Sequence, residues 1–459
     1  MKAKYDPGER ASRLATLPPD LGSKVLSHPR QRDALGLVTQ LISALRAAKT
    51  AESLYAFQQQ LLRLIYEADE WRAQCSQIEL LLRGSGVDAY PEWRSIDWRL
   101  ERVVADRVAR QLRSVADALA WKVFRYDRRL VFALSNGRRV SNTYGKAGFW
   151  CELTVLEKTW THDGHFAILH DATNCVRIAD LTTCTRLHTS AARSSHECSA
   201  ESHLLSEVKN VRGRCVTRHR GQQLERMQAV INAINGDAPV KEADTGQLYY
   251  TFSSNQQLRT YLKVVEPIVE QAYREGFSCN RIQTDWILVA VRADLTGPQL
   301  QELQLREREQ LMRSNLVSSR DRFQVPSLDT VGLAPTLAPF SIYPFRPEIC
   351  AALTCDYVSL RPVLGINALM SALISAGFQN VSRPETIDLS KPLLPVVSGA
   401  IGKKAMSING AALQQIMLEF IDLRRLALAM KDYCLSDDLP VNGPRVGVLI
   451  FRNERAIWR

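Results

Sequence analysis

Glu207-Val208-Lys209 follows the apolar pair Leu204-Leu205 near the middle of the chain. On an extended strand residues two apart share a face, so Glu207 and Lys209 point one way and Val208 the other. A carboxylate beside an ammonium at a strand end can hold a divalent cation and a water-polarising charge together, a pairing suited to attack on a phosphodiester. Upstream, Ile178-Ala179-Asp180-Leu181-Thr182 is a second apolar run with an acid set in it. Glu152 lies before it, and Gln222, Gln223 and Arg226 lie after it in a Gln/Arg-rich segment. Acids, an ammonium, and amide or guanidinium donors are the parts that metal-assisted phosphodiester cleavage requires.

These residues need elements to position them. Phe149 to Trp160 reads as a helix carrying Glu152 and Glu157, and Asp163-Gly164 turns the chain into a strand at Phe166 to Leu169. Cys175 to Thr183 reads as a second strand containing Asp180, Leu204 to Lys209 as a third, and Gln222 to Ile234 as a helix. Thr185 to Ser202 is polar and rich in Ser, His and Ala, which predicts a long surface loop. The order is α-β-β-(loop)-β-α, a mixed unit with short connections apart from that loop. Asp171, in His170-Asp171-Ala172-Thr173-Asn174, competes with Asp180 for a metal but reads first as a turn cap, so Asp180 ranks above it. Arg177 faces away from Asp180 on a regular strand, toward Asp171 or a phosphate.

This constellation resembles the PD-(D/E)xK nuclease superfamily, the restriction-endonuclease-like fold, over about residues 120–255. The resemblance rests on Glu152, on Asp180 in Arg177-Ile178-Ala179-Asp180, on Glu207-Val208-Lys209, and on Gln222 or Gln223; the element order agrees with that family's core. It implies that Asp180 and Glu207 ligate Mg²⁺, or Mn²⁺ in its place, with the Val208 carbonyl as a third ligand. Lys209 would orient the attacking water and stabilise charge, and Glu152 would assist through a water or a second metal. Gln222 or Gln223, with Arg226, would steady the site or contact phosphate. The activity implied is that of an endonuclease acting on DNA, in defence against foreign DNA, with a homodimer or larger oligomer cutting both strands.

The rest of the chain frames this core. Residues 1–30 carry Pro18-Pro19 and Pro29 and read as a loosely held arm. From about Arg32 to Phe124 the pattern is helical: a face of Leu35, Val38, Leu41, Ile42 and Leu45, then a long helix from Ser53 to Arg83 ended by Gly84-Ser85-Gly86. A third stripe joins Leu100, Val104, Val108, Leu112, Val115 and Leu119, with Arg99, Arg102, Arg107, Arg110 and Arg113 at other positions. Val123 to Asp127 and Leu130 to Leu134 read as strands, with Asn136-Gly137 as a turn. Further on, strands are predicted at Leu248–Phe252, Asp285–Val291 and Val446–Phe451, and helices at Gln256–Gly276, Pro298–Arg313, Asn367–Ala376 and Ala411–Met430, with a Pro-rich connection from Val325 to Pro347. The expected fold class is thus α+β or mixed α/β. It comprises a helical N-terminal region over 1–120, a restriction-endonuclease-like core over 121–255, a continuation of the mixed region over 256–325 and a C-terminal accessory region over 326–459.

Charge supports a polyanionic partner. The formal net charge is +11, and Pro91 to Lys146 holds 13 Lys/Arg against 6 Asp/Glu. Arg107, Arg110, Arg113, Arg128, Arg129, Arg177 and Arg226 are the candidate contacts to a nucleic-acid backbone, DNA above all. No run is apolar enough for a membrane span and the first ten residues have no apolar signal core, so a cytoplasmic protein is expected. Cys151, Cys175, Cys184, Cys198 and Cys215 share one stretch with seven of the eight histidines. The spacing matches no standard zinc site, and reduced thiols are the preferred reading over a structural Zn²⁺. No P-loop, Gly-x-Ser-x-Gly elbow or dinucleotide fingerprint is present, and Gly145-Lys146-Ala147-Gly148 is too short to cradle phosphate. The alternatives are a catalytically inactive nucleic-acid-binding or interaction protein on the same core, and a zinc-stabilised regulatory protein using the Cys/His stretch.

Overall fold

The computed structural model describes residues 19–85, 96–135, 143–146, 148–176, 179–188, 203–206, 208–211, 214–217, 240–241, 248–254, 256–283, 285–318, 322–324, 337–384, 395–402, 404–435, 446–451 and 457–458. It divides into two compact units, Met1–Gly246 and Gln247–Arg459, and its class is mixed α+β with several small sheets.

The first unit opens with helices α1 (Pro19–Ser27), α2 (Pro29–Ala47), α3 (Ala51–Ser85) and α4 (Trp98–Val123). Of the predicted loose arm, residues 1–18 lie outside the described ones, while Pro19 and Pro29 start helices: Pro29 lies in the first turn of α2, where a missing N–H costs nothing. Val38, Leu41, Ile42 and Leu45 form the buried stripe of α2, as their spacing predicts. The Asp97 carboxylate caps α4 by accepting from Leu100 N at 3.1 Å. Residues 123–127 and 130–134 are not strands. The chain turns through left-handed Arg125 and Tyr126 (φ 54° and 58°) and enters α5 (Arg128–Ser135). Asp127 starts this helix by accepting from Arg129 N at 3.0 Å. Leu130, Val131 and Leu134 suit a buried helix face as well as a strand, and length alone does not separate the two.

Helix α6 (Phe149–Thr161) then leads into β1 (His165–Leu169), as expected. A short 3₁₀ turn (His170–Ala172) follows, then β2 (Leu181–His188) and β3 (His203–Ser206). These strands form an antiparallel sheet in the order β1-β2-β3, with Leu181 opposite both Leu169 and Ser206. The second strand thus begins just after Asp180 and runs four residues into the predicted loop; residues 189–202 lie outside the described ones. The predicted third strand falls on β3, paired to β2, and on β4 (Val208–Val211), paired to an unforeseen β5 (Arg214–Thr217); Glu207 lies outside the described residues. The short β6 (Val240–Lys241) follows, and the predicted helix 222–234 lies outside the described residues.

The second unit holds β7 (Leu248–Ser254), α7 (Leu262–Glu275), β8 (Phe277–Gln283), β9 (Trp286–Arg292), α8 (Gly297–Arg313) and β10 (Arg322–Gln324). It continues with α9 (Pro347–Thr354), β11 (Val358–Gly365), α10 (Ile366–Ser375), β12 (Gln379–Ser382), β13 (Pro395–Ile401), β14 (Lys404–Asn409), α11 (Gly410–Leu418), α12 (Leu423–Leu435) and β15 (Val446–Phe451). The main sheet runs β10-β11-β9-β8, and β15 pairs in parallel with β7. Two predicted helices are shortened by one contact. Tyr261 N donates to Phe420 O at 2.9 Å and Asp422 N to Arg259 O at 2.9 Å, so the two segments meet in an isolated antiparallel bridge with Thr260 opposite Ile421. The helix predicted from Gln256 therefore starts at Leu262, and the one predicted over 411–430 breaks at left-handed Phe420 (φ 53°).

Three side chains of the helical layer hold other segments of the first unit in place. Gln58 of α3 donates to Ala167 O of β1 at 2.9 Å. Asp117 of α4 accepts from the backbone after β1, at Asn174 N (2.6 Å) and Cys175 N (2.9 Å). Asp69 of α3, fully buried, takes both nitrogens of Arg113 (2.6 and 3.1 Å) and the amide and hydroxyl of Thr143 (2.7 and 2.6 Å). Burial alone would raise the Asp69 carboxyl, but the Arg113 guanidinium and the Thr143 donors together hold it below its ordinary value. Removing one partner strands the other inside the protein. Asp69→Ala is expected to lose roughly 3–5 kcal/mol of unfolding free energy in guanidinium chloride; a loss under about 1 kcal/mol would mean that Arg113 and Thr143 find other partners.

Candidate active site

The turn between β1 and β2 is held at both ends by buried His170. Its Nδ1 lies 3.2 Å from Ala179 O, which only accepts, so Nδ1 carries the proton and Nε2 receives the Thr182 hydroxyl at 2.7 Å. His170 N also donates to Asp180 O at 3.0 Å. Inside the turn, Thr173 Oγ1 donates to His170 O at 3.0 Å and accepts from Val176 N at 3.0 Å. Ala179 sits in the left-handed region at φ 70°, a strained conformation for a residue with a Cβ, immediately before the candidate acid.

Asp180 is fixed by backbone and side chain alike. Its N–H donates to Ser206 O at 3.0 Å, and its Oδ2 accepts from Val208 N at 2.7 Å. It thereby clips the junction of β3 and β4, the point in the chain where Glu207 stands. Of the predicted site, the structure thus brings Asp180 against the backbone of Val208. Lys209 lies on β4 opposite Val216, while Glu207, Gln222, Gln223, Arg177 and Arg226 lie outside the described residues.

Glu152 projects from the first turn of α6 and is 2% exposed. Its Oε1 accepts from Lys146 Nζ at 2.6 Å, and the same ammonium donates to Asp171 Oδ2. Lys146 reaches this position from the turn that Asp69 anchors at Thr143, with Gly145 at φ 76°. Burial, then the charge of Asp171, push the Glu152 carboxyl up to about 7 against the pull of Lys146, and Asp180 adds to the push. Burial works against the Lys146 ammonium, but Asp171 and Glu152 outweigh it and keep the pKa above the ordinary lysine value. Glu152 Oε2 is buried with no hydrogen-bond partner among the described residues. A carboxyl titrating near neutrality can give or take a proton there.

Sequence reasoning missed Lys146, which it weighed only as part of a phosphate cradle, and it ranked Asp171 as a turn cap. The available signal was a Gly-Lys-x-Gly turn placed directly before an acid-bearing helix. His170, Asp69 and Asp117 carry no motif, since their partners are backbone groups or residues far along the chain.

The arginine expectation needs correction. Arg107, Arg113 and Arg128 are buried: Arg113 is bound to Asp69, and the Arg128 guanidinium lies 5.2 Å from the Trp121 ring centre. Arg110 pairs with Asp106 at 2.7 Å and Arg129 with Asp127 at 2.9 Å. Helix α4 is packed against α1, α2 and α3, and its Arg102, Arg110 and Arg113 meet Glu79, Asp106 and Asp69 of that layer. Cys151, Cys175 and Cys184 are buried, and burial pushes the Cys184 thiol up to about 12. Among the described residues no group of three or more His, Cys, Asp or Glu side chains is placed to hold a metal ion, and no helix is long and apolar enough to cross a membrane.

No protein-family model matches this chain, no curated protein matches it, and no solved structure matches it.

The Glu152 shift has a measurable consequence. A carboxyl raised from 4.5 to about 7 on folding holds its proton more tightly in the folded chain. Its contribution to stability therefore falls as pH climbs from the unfolded value through the folded one, and is constant above. Thermal melts of wild type and Glu152→Gln between pH 4.5 and 8.5 should show the variant gaining relative stability across that window. Parallel curves would place the Glu152 carboxyl in an ordinary environment.

Proposed function

We propose that the first unit is a metal-dependent nuclease of the restriction-endonuclease-like kind, hydrolysing phosphodiester bonds in nucleic acid, with DNA as the expected substrate. The observation that carries this reading is the hydrogen bond from Val208 N to Asp180 Oδ2, which sets the acid before β2 against the Glu207-Val208-Lys209 segment. The order α6-β1-β2-β3, with an acid on the helix and another at the start of the second strand, supports it. So does the net charge of +11, which favours a polyanion, although Arg107, Arg113 and Arg128 are spent inside the fold.

The residues fit a divalent cation. The Lys146 ammonium bridges Glu152 and Asp171, the charge of Asp180 also acts on Glu152, and Glu152 Oε2 is buried with no partner among the described residues. Asp180 and Glu207, with the Val208 carbonyl, would hold Mg²⁺ or Mn²⁺, and a bound cation would supply an acidified water and neutralise charge on the phosphate. The amide of Val208 keeps Asp180 oriented, and Lys209 follows next on the same strand, in the role of orienting water and stabilising charge that the resemblance implies. Glu152, titrating near neutrality, holds or releases a proton at its buried oxygen. Dimerisation and a part in defence against foreign DNA belong to the same proposal by likeness to the superfamily.

Incubation of plasmid DNA, and separately of RNA, with wild type in Mg²⁺, Mn²⁺ or EDTA decides the matter. Metal-dependent cutting is expected, lost in Asp180→Ala and Lys209→Ala and reduced roughly 10²–10⁴-fold in Glu152→Gln. Intact substrates under every metal would leave a non-catalytic binding protein; unimpaired alanine variants would place the chemistry elsewhere.

A further inference from the structure

Glu152, Asp171 and Lys146 form a group of their own beside the Asp180 clip. The Lys146 ammonium donates to Glu152 Oε1 at 2.6 Å and also to Asp171 Oδ2. It stands where a cation shared by two carboxylates would stand. Its turn is tied back through Thr143 to the buried Asp69–Arg113 pair. The carboxylate it faces is incompletely satisfied: Glu152 is 2% exposed, and its Oε2 has no hydrogen-bond partner among the described residues. A buried acceptor left unpaired is costly, and its lone pairs remain open to a cation.

We propose that Glu152 and Asp171 form a divalent-cation position in which Lys146 is the resident counter-ion, exchanged for Mg²⁺ or Mn²⁺ when the metal binds. The donor set is hard and all oxygen, which suits these ions. They accept one or two carboxylates and keep several waters, so a third protein acid is not required. Zn²⁺ is the poorer fit, since no thiolate or imidazole joins the pair in the structure. A lysine suits exchange because its ammonium is a compact point charge on a flexible stem. Once displaced, its three N–H donors turn toward the nearest anion, which in the proposed reaction is a phosphate oxygen of the substrate. The inference rests on the metal-dependent reading and adds to it a cation position apart from Asp180 and Glu207.

Calorimetric titration of Mn²⁺ into the full-length protein without nucleic acid tests this apart from activity. Removing the competing charge in Lys146→Met should tighten Mn²⁺ binding roughly tenfold. Lys146→Arg should stay near wild type, and adding Glu152→Gln to Lys146→Met should cancel the gain. Lys146→Gln takes the place of Lys146→Met if circular dichroism shows that variant to be unfolded. Unchanged or weaker Mn²⁺ binding on loss of the lysine charge overturns the proposal. If Lys146→Met tightens Mn²⁺ binding but no nucleic acid is cut, the nuclease reading fails and the cation position stands. If cutting is metal-dependent but Lys146→Met binds Mn²⁺ as wild type does, the reading stands and the exchange fails.

Discussion

Irregular backbone buried beneath a helical layer must find partners for its N–H groups, and in the first unit two helix aspartates supply them. Asp117 accepts from Asn174 N and Cys175 N, and Asp69 accepts from Thr143 N. Apart from Glu152 on α6, the described groups of the candidate site hang from one of those two segments or from the strands that follow. The turn after β1 carries Asp171 and leads to Asp180, and the turn after α5 carries Lys146. A carboxylate can satisfy several donors at once, which no neutral side chain of that size does as well. Arg113 balances one of the two aspartates with a bidentate pair, and burial raises the other despite the donors around it. The helices are thus the template on which the two loops are cast.

What those loops assemble is poorly balanced electrically. Two carboxylates, Glu152 and Asp171, share one ammonium, Glu152 is raised toward neutrality, and the residue before Asp180 is held in a left-handed conformation. Such features lower stability when taken singly, and they persist only where surrounding structure over-determines them. Here the over-determination is concrete: His170 contacts the strained segment at Ala179 O and Asp180 O, and Asp180 is fixed again from β3 and β4. Concentrated imbalance of this kind marks a place built to interact with something charged.

The elements that could be read from the sequence were those with one dominant local signal. Helix α6, strand β1 and the helix Gly297–Arg313 all show a clear period bounded by Gly, Pro or Asp. Errors fell where a cap just outside the apolar run, or a partner distant in sequence, decided the outcome. Residues 130–134 are apolar enough for either state, and the Asp127 cap selects the helix. The segments at Arg259 and Phe420 gave up helix to bond each other, 161 residues apart. At the site, Asp180 could be picked out because an acid in an apolar run is conspicuous. The burial of Arg113 could not, because its partner Asp69 lies 44 residues away on another helix. A helix with arginines off its apolar stripe looks the same whether water or a second helix covers that face.

Gln58 gives the sheet a one-sided character. Strand β1 is the outer strand of β1-β2-β3, and its sequence His-Phe-Ala-Ile-Leu is short, apolar and free of proline and glycine. An edge of that kind is a template for adding another chain. The Gln58 amide occupies the Ala167 carbonyl, so a side chain from α3 holds a position that a foreign strand would otherwise take. The helix that supports the site from behind is therefore also a guard against misassembly. Until α3 docks during folding, that edge is uncovered.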